Sequence, residues 1–242
     1  MVDKLYKHSL IRIGSVYDGG YFVCPNSIKN AKNLISFGIE TNWEFEKDFT
    51  RLNPDVNVKS YDGQTKFSLI FKFFVFQVLK YFLLKGNINL LKRSFFNLFE
   101  YNSLLKKKLN FVNKNIGLKN GLNFNEVLEN FSNVFLKIDI EGSEYRILND
   151  ILENKKKLVG LVIEFHDYDL NKSIIKDFIN NIGLEMIHIN INEMGGMSID
   201  NYPLVVELTF SKEPTKEDIN KEKLKQPNFK NFSFIPAESV KL

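Results

Sequence analysis

The chain is poor in the residues that mark several protein classes. Its 242 residues include one cysteine, six prolines and 13 glycines, which excludes collagen-like, low-complexity and disulfide-rich chains. Because the single Cys24 cannot form an internal disulfide, we expect a reducing, cytoplasmic compartment. An uncharged membrane-spanning segment is also missing, since lysines at 72 and 80 and Gln77 interrupt the most apolar window, Phe67–Leu84.

The charge is close to balanced. Thirty-three Lys and Arg against 29 Asp and Glu give a net charge of +4. This slight excess favours anionic small molecules or a membrane surface, and we expect no nucleic-acid partner. Charged residues within Met1–Gly14 argue against a signal peptide. A content of 44% hydrophobic residues is enough for one core, so we predict a single domain over residues 1–242.

Short apolar segments alternate with helical patterns along most of the chain. This alternation predicts an α/β fold with a mostly parallel sheet and helices on both faces. The predicted strands are Leu34–Phe37, Asn57–Tyr61, Phe111–Ile116, Val134–Ile138, Leu158–Phe165, Leu184–Ile191 and Leu204–Phe210. The predicted helices begin near Trp43 and cover Lys66–Lys85, Asn89–Lys108, Asn125–Asn130, Glu141–Leu148 and Ser173–Asn181.

Two segments depart from this alternation. Residues 66–108 are too long for an ordinary crossover, and we predict a helical insertion that forms a cap over the site. Its apolar window favours a buried or cap helix, with an interfacial or dimer-forming helix as the alternative. Residues 212–242 are charged and contain Pro214 and Pro227, which indicates a peripheral tail.

Ligands of open α/β sheets bind beyond the carboxyl ends of the strands. At one such end Gly38 would let the backbone approach a ligand closely. At the next, Asp62 would accept hydrogen bonds from both hydroxyls of a ribose, or simply form a turn with Gly63. Neither a G-x-G-x-x-G nor a Walker A motif is present, which disfavours an NAD-dependent enzyme.

Asp139 and Glu141 follow the apolar strand Val134–Ile138. If the backbone stays extended, the two carboxylates point the same way. They would then be solvated, share a proton, bind a cation or hold a positively charged ligand. Alternatively, Glu141 caps the following helix.

A histidine, His166, ends the apolar strand Leu158–Phe165, with Glu164 on the same face. Three roles stay open for His166: a general base, a metal ligand or a structural histidine. His188 and Asn190 share a face of a later strand, with structural and functional roles both open.

The segment LKIDIEGSEYRIL, residues 136–148, resembles the signature of the FkbM family of S-adenosylmethionine (SAM)-dependent methyltransferases. Supporting segments resemble a subgroup found in bacterial surface-glycan clusters. They are IRIG at 11–14, DGGY at 18–21, ISFGIE at 35–40, NWEFE at 42–46 and IEFH at 163–166. The resemblance covers residues 11–210, although the usual D-x-G-x-G motif is reduced here to SFGIE at 36–40.

The resemblance implies a Rossmann-like methyltransferase that methylates hydroxyls of a small-molecule sugar or sugar nucleotide, as in capsular polysaccharide biosynthesis. By position, Gly38 and Glu40 would lie along the methionine part of SAM, Asp62 on the ribose and Asp139 near the sulfonium. The remaining expected cofactor-binding residues are Ile39, Gly63 and Tyr21. The turn 18–21 that ends at Tyr21 would be either a hairpin turn or a clamp over cofactor or substrate.

A sugar hydroxyl is a weak nucleophile and needs a base or a metal. We therefore expect catalytic roles for Asp139, Glu141 and His166. The same three residues would form an oxygen and nitrogen set for a divalent cation, with manganese or iron favoured over magnesium. The competing functions are a non-catalytic Rossmann-like nucleotide- or glycan-binding module and a membrane-associated scaffold. The sequence does not determine which sugar is methylated, at which hydroxyl, or whether the sugar carries a phosphate or nucleotide. It also leaves open whether the chain forms a homo-oligomer.

Overall fold

The fold is a mixed α/β sandwich with one central sheet, as seen in a computed structural model that describes residues 9–214 except 17, 84 and 106. The strands are β1 (Ile11–Gly14), β2 (Gly20–Val23), β3 (Asn33–Phe37), β4 (Asn57–Tyr61), β5 (Val134–Ile138), β6 (Leu158–Phe165), β7 (Glu185–Ile191) and β8 (Val206–Ser211). The helices are α1 (Pro25–Asn30), α2 (Glu44–Leu52), α3 (Phe67–Phe82), α4 (Ile88–Glu100), α5 (Phe124–Leu128), α6 (Leu148–Asn154) and α7 (Tyr168–Asn181).

Six strands form the central sheet in the order β4-β3-β5-β6-β8-β7. The first four of these are parallel, and β8 runs antiparallel between β6 and β7. The chain leaves β3 toward β4 on one side and later returns to β5 on the other, so the strand order reverses between β3 and β5. This is the switch point at which Rossmann-like folds bind ligands. The expected fold class is confirmed.

Alternate residues of the strands pack on opposite faces of the sheet. Ile35 and Phe37 join the core formed with α5, α6 and α7. Leu34 joins a second core that contains the β1–β2 hairpin, α1, α2 and parts of residues 66–108. Helices therefore cover both faces, which explains the continuous apolar sequences of the parallel strands.

The structure differs from the predicted elements in two places. Residues 111–116 form no strand, since Val112 makes only a single bridge to Tyr61. No helix begins at Glu141, because Glu141 and Gly142 have φ values of 54° and 88°, and regular α-helix starts only at Leu148. The left-handed backbone turns the chain sharply after β5.

Residues 66–108 form the antiparallel pair α3 and α4, followed by a short π-helical turn, and are called the helical hairpin below. Asn97 donates a hydrogen bond to the Thr41 carbonyl oxygen, and Trp43 donates one to Glu100, which fix the helical hairpin beside α2. None of the described helices is long and apolar enough to span a membrane. Residues 1–8, and 215–242 of the predicted tail, lie outside the described part.

Candidate active site

A cleft opens at the carboxyl ends of β3, β4, β5 and β6, at the switch point. Its described lining includes Gly38, Ile39, Glu40, Asp62, Asp139 and Glu141 from the predicted site, and adds Asp18, Glu164, Lys114 and Lys137, among others. The lining carries six carboxylates, at 18, 40, 62, 139, 141 and 164, against two lysines. No residue of 66–108 is among the described lining residues, so a capping role for that segment stays a prediction.

The loop after β3 lies against the end of β5. Gly38 has φ 76°, and a Cβ at this position would overlap the carbonyl oxygen of Asp139. A glycine is therefore required for the two strand ends to come this close. The buried ammonium of Lys137 donates a hydrogen bond to the Gly38 carbonyl oxygen and lies 3.6 Å from the Asp139 carboxylate.

The carboxylate of Asp62 is occupied by backbone N–H groups. One oxygen accepts from Ile39 at 3.1 Å and from Glu40 at 2.8 Å, and the other accepts from Gln64 and Thr65. Four donors approach the full capacity of a carboxylate. The side chain of Asp62 thus holds the loop after β3 in place, and its contact with a ribose stays a prediction.

Glu40 stands in contrast to Asp62. It has φ 43°, and its carboxylate has no hydrogen-bond or ion-pair partner among the described residues. Burial raises the pKa of Glu40, as do the nearby charges of Glu141 and Asp62. It is therefore a carboxylate at the cleft with capacity for a ligand.

The hydroxyl of Tyr21 contacts two of the acidic side chains. The residue is 1% exposed, and its hydroxyl lies 3.1 Å from Asp139 Oδ2 and 3.2 Å from Glu164 Oε2. Tyr21 belongs to β2, which forms an antiparallel hairpin with β1. Asp18 and Gly19 of the predicted turn line the cleft, so a clamp over cofactor or substrate stays a prediction. Through its two contacts the Tyr21 hydroxyl orients the carboxyl groups of Asp139 and Glu164. Tyr21 is not among the described residues that line the cleft.

His166 lies between three glutamates. Its Nδ1 is 3.1 Å from Glu144 Oε1, and its Nε2 is 3.3 Å from Glu141 and 3.7 Å from Glu164. Burial alone would lower the pKa of His166, but the hydrogen bond and charge of Glu144 outweigh it and raise the pKa to about 9. The ring is therefore protonated at neutral pH when no ligand is bound.

The side chain of Glu164 is almost fully buried, at 4% exposure of the residue. Its other oxygen, Oε1, accepts a hydrogen bond from Asn192 at 3.2 Å. Burial and the nearby carboxylates of Asp139 and Glu207 raise the pKa of Glu164 to about 9, so this group holds a proton at neutral pH.

The compact ligand set differs from the expected one. Asp139, Glu164 and His166 each offer an atom within 4.8 Å of the other two. Glu141 reaches His166 but belongs to the left-handed turn, so the extended geometry assumed for Asp139 and Glu141 is wrong. Glu141 does not cap a helix either, because the Ile140 and Gly142 N–H groups donate to Glu144.

Sequence reasoning missed the partners that come from other elements. The two-residue spacing that places Glu164 on the same strand face as His166 is the signal in the sequence for its part in the site. Glu144 lies three residues beyond Glu141, within the motif itself. Gly63 donates its N–H to Asn115 at 3.1 Å and is not among the cleft-lining residues.

His188 has a structural environment. Its ring lies 4.6 Å from that of Phe22, and burial lowers its pKa to about 4. Asn190 donates a hydrogen bond to Glu207 at 3.0 Å. Neither residue is among the described residues that line the cleft.

Comparison with protein-family models finds no match, and comparison with curated proteins finds none either. Among solved structures, the chain is similar to the METTL16 MTase domain, at 12% identity and a TM-score of 0.43 over 78% of this chain. It spans only 64% of that METTL16 chain. The chain is also similar to precorrin-6y C5,15-methyltransferase from Geobacter metallireducens, at 11% identity and a TM-score of 0.37, covering 77% of this chain and 87% of that one.

A third similar structure is TrmK of M. capricolum in complex with S-adenosyl-homocysteine (SAH). The identity is 14% and the TM-score 0.36, covering 81% of this chain and 70% of that one. Similarity at these identities and TM-scores does not determine an activity. The resemblance to the FkbM family stays an expectation, and the function has to follow from the chemistry of the cleft.

Proposed function

We propose that the chain is a SAM-dependent O-methyltransferase that acts on a hydroxyl of a sugar or sugar nucleotide for a bacterial surface polysaccharide. The observation that carries this proposal is the acid excess of the cleft, with six acidic side chains against two lysines at the switch point. Such a lining favours a positively charged donor and repels a pyrophosphate. SAM supplies a methyl group on a sulfonium, from which an acceptor oxygen displaces it in line.

The described residues fit the parts of this donor. Gly38 permits close backbone approach, and Asp139 offers a carboxylate for the sulfonium at the end of β5. Asp62 holds the loop by accepting from the Ile39 and Glu40 N–H groups, and the Glu40 carboxylate has no partner among the described residues. We therefore assign the ribose hydroxyls to the Glu40 carboxylate, with Asp62 positioning Glu40 through its N–H group.

The acceptor class follows from the resemblance and agrees with the charges. Neutral sugar hydroxyls donate hydrogen bonds to carboxylates, whereas phosphates are repelled by them. The sugar ring would thus occupy the acidic part of the cleft, and any phosphate handle would lie toward the exposed Lys114.

The acceptor hydroxyl must lose its proton when the carbon–oxygen bond forms. His166 is the group that would take it, but at neutral pH its ring first has to lose the proton that the Glu144 carboxylate stabilises. A divalent cation on Asp139, Glu164 and His166 would instead lower the pKa of the hydroxyl. Manganese or iron suits this mixed oxygen and nitrogen set better than magnesium. Glu144 would orient the His166 ring through its contact with Nδ1.

Calorimetry with SAM and with its neutral product SAH tests the donor. We expect SAM to bind more tightly, and Asp139→Asn to remove most of that preference, a loss of roughly tenfold for a charge-assisted contact. Asp150→Asn, on α6 and outside the described cleft lining, should leave both affinities unchanged. If the parent chain bound neither ligand, the proposal would be wrong.

Methyl transfer from labelled SAM to a panel of sugars and sugar nucleotides tests the acceptor. Binding of SAM without transfer to any of them would favour the alternative, a non-catalytic Rossmann-like binding module. The same assay after chelation and after return of manganese or iron separates the two accounts of proton loss. Full activity in the chelated, metal-free enzyme would exclude the cation and leave His166 as the base.

A further inference from the structure

The helical hairpin exposes a wide apolar surface. On α3, Phe67, Phe71 and Leu79 are 47%, 50% and 57% exposed, and Phe82 at its end is 78% exposed. With the half-exposed Val75 they follow spacings of three or four residues, so they lie along one side of the helix. The buried residues of α3, Ile70 and Gln77, belong to its other side.

The surface continues onto α4. Phe95 contacts Phe74 of α3 with ring centroids 5.9 Å apart, and Phe95 in turn contacts Phe99 at 5.1 Å. Phe99 is 65% exposed and Phe96 58% exposed. Soluble surfaces rarely leave so many large apolar side chains together, which indicates an interaction site.

Every charged side chain between residues 63 and 99 is positive. The segment contains five lysines and one arginine, and no Asp or Glu. Arg93 is paired with Glu44 at 3.6 Å, but Lys72, Lys80, Lys85 and Lys92 are exposed. The ammonium of Lys80 lies 4.7 Å from the ring centroid of Phe76, so basic and aromatic groups share one surface.

We propose that the helical hairpin docks on an anionic lipid bilayer, with its aromatic side chains in the interface and its lysines on the lipid head groups. Apolar side chains flanked only by positive charges match this surface. A second copy of the chain is a poorer occupant, since it would bring the same positive charges together. The hydrogen bonds from Asn97 to Thr41 and from Arg93 to Ser15 join the helical hairpin to the rest of the fold.

Flotation of the full chain with vesicles tests this docking. We expect binding to vesicles of phosphatidylglycerol mixed with phosphatidylcholine, weaker binding to phosphatidylcholine alone, and release as salt is raised. The variant Phe71→Gln/Leu79→Gln/Phe82→Gln should bind about a thousandfold more weakly, from about tenfold for each of the three apolar side chains. Lys72→Gln/Lys80→Gln should bind about 25-fold more weakly, from about fivefold per lysine.

The matched control is Leu170→Gln on α7, a substitution at a 79% exposed leucine outside the helical hairpin, and it should bind like the parent. Circular dichroism checks that each variant is folded, and SAH calorimetry shows whether the cleft is intact. Vesicle binding does not depend on methyl transfer, so the two proposals can fail separately. Failure of the parent to float, or a dimer that the Phe71→Gln/Leu79→Gln/Phe82→Gln variant dissociates while vesicle binding is absent, would overturn the proposal.

Discussion

At the scale of single residues, the site depends on side chains that hold other side chains. Glu144 is fully buried, and one of its oxygens accepts from the Ile140 and Gly142 N–H groups while contacting His166 Nδ1. Glu141 reaches the other ring nitrogen from an exposed position, with a side chain that is 76% exposed. The buried glutamate should therefore dominate the properties of His166, since solvent screens the exposed one.

Glu144→Gln is expected to lower the pKa of His166 from about 9 toward the ordinary histidine value, because it removes the hydrogen-bonded negative charge. Glu141→Gln is the matched control and should lower it less. Nuclear magnetic resonance titration of the ring signals measures both, and only three histidines need assignment. An equal shift in the two variants would contradict the role given to Glu144.

His188 predicts a pH dependence of stability. Its pKa is lowered to about 4 by burial, so protonation below the unfolded pKa of about 6.5 favours the unfolded chain. The free energy of unfolding should therefore lose up to about 3 kcal/mol between pH 6.5 and pH 4 from this residue. The raised pKa values of Glu164 and Glu207 act in the opposite direction over acidic pH.

Denaturant unfolding of the parent and of His188→Leu at several pH values separates these contributions. The variant lacks the titrating ring, so its stability relative to the parent should improve as the pH falls. A constant difference between the two proteins at all pH values would show that the pKa of His188 is not lowered in the folded state.

At the scale of elements, the loop after β3 and the turn after β5 are in close contact. Gly38→Ala places a Cβ against the Asp139 carbonyl oxygen at a φ of 76°, so both the contact and the backbone oppose it. We expect a loss of stability of more than about 1 kcal/mol and weaker SAH binding. The measurements are denaturant unfolding and calorimetry.

Gly63→Ala is a suitable control at the next strand end. The three atoms nearest to a Cβ there all belong to the side chain of Asn115, which can move, and Gly63 has no positive φ. Its cost should be clearly smaller than that of Gly38→Ala. The reverse order would mean that the two strand ends are not fixed by this contact.

At the scale of the whole molecule, the cleft joins β3, β4, β5, β6 and the β1–β2 hairpin, so a ligand there should stabilise the entire fold. SAH at a hundredfold excess over its dissociation constant is expected to add about 2.7 kcal/mol to the free energy of unfolding. Glu40→Gln should reduce this gain at a fixed SAH concentration, since it removes a carboxylate that has no partner among the described residues and that we assign to the ribose. Unfolding with and without SAH gives the difference directly, and an unchanged gain would remove Glu40 from the site.

The sequence by itself determined the parallel strands and the residues that follow them. Continuous apolar segments such as Val134–Ile138 and Leu158–Phe165 predicted buried neighbouring strands, and these two do pair. Local patterns suffice here because a strand covered on both faces needs apolar residues at every position. Neither the antiparallel direction of β8 nor the absence of a strand at residues 111–116 can be read from the local sequence.

Only the tertiary structure decided which acidic groups meet. Register places Glu164 opposite Glu207 and near Asp139, and the left-handed turn at Glu141 directs the Glu144 side chain inward to His166. Tyr21 reaches the same carboxylates from a hairpin more than a hundred residues earlier. These contacts depend on strand pairing and turn geometry between distant segments, whereas hydrophobic periodicity reports only which side of one element is buried.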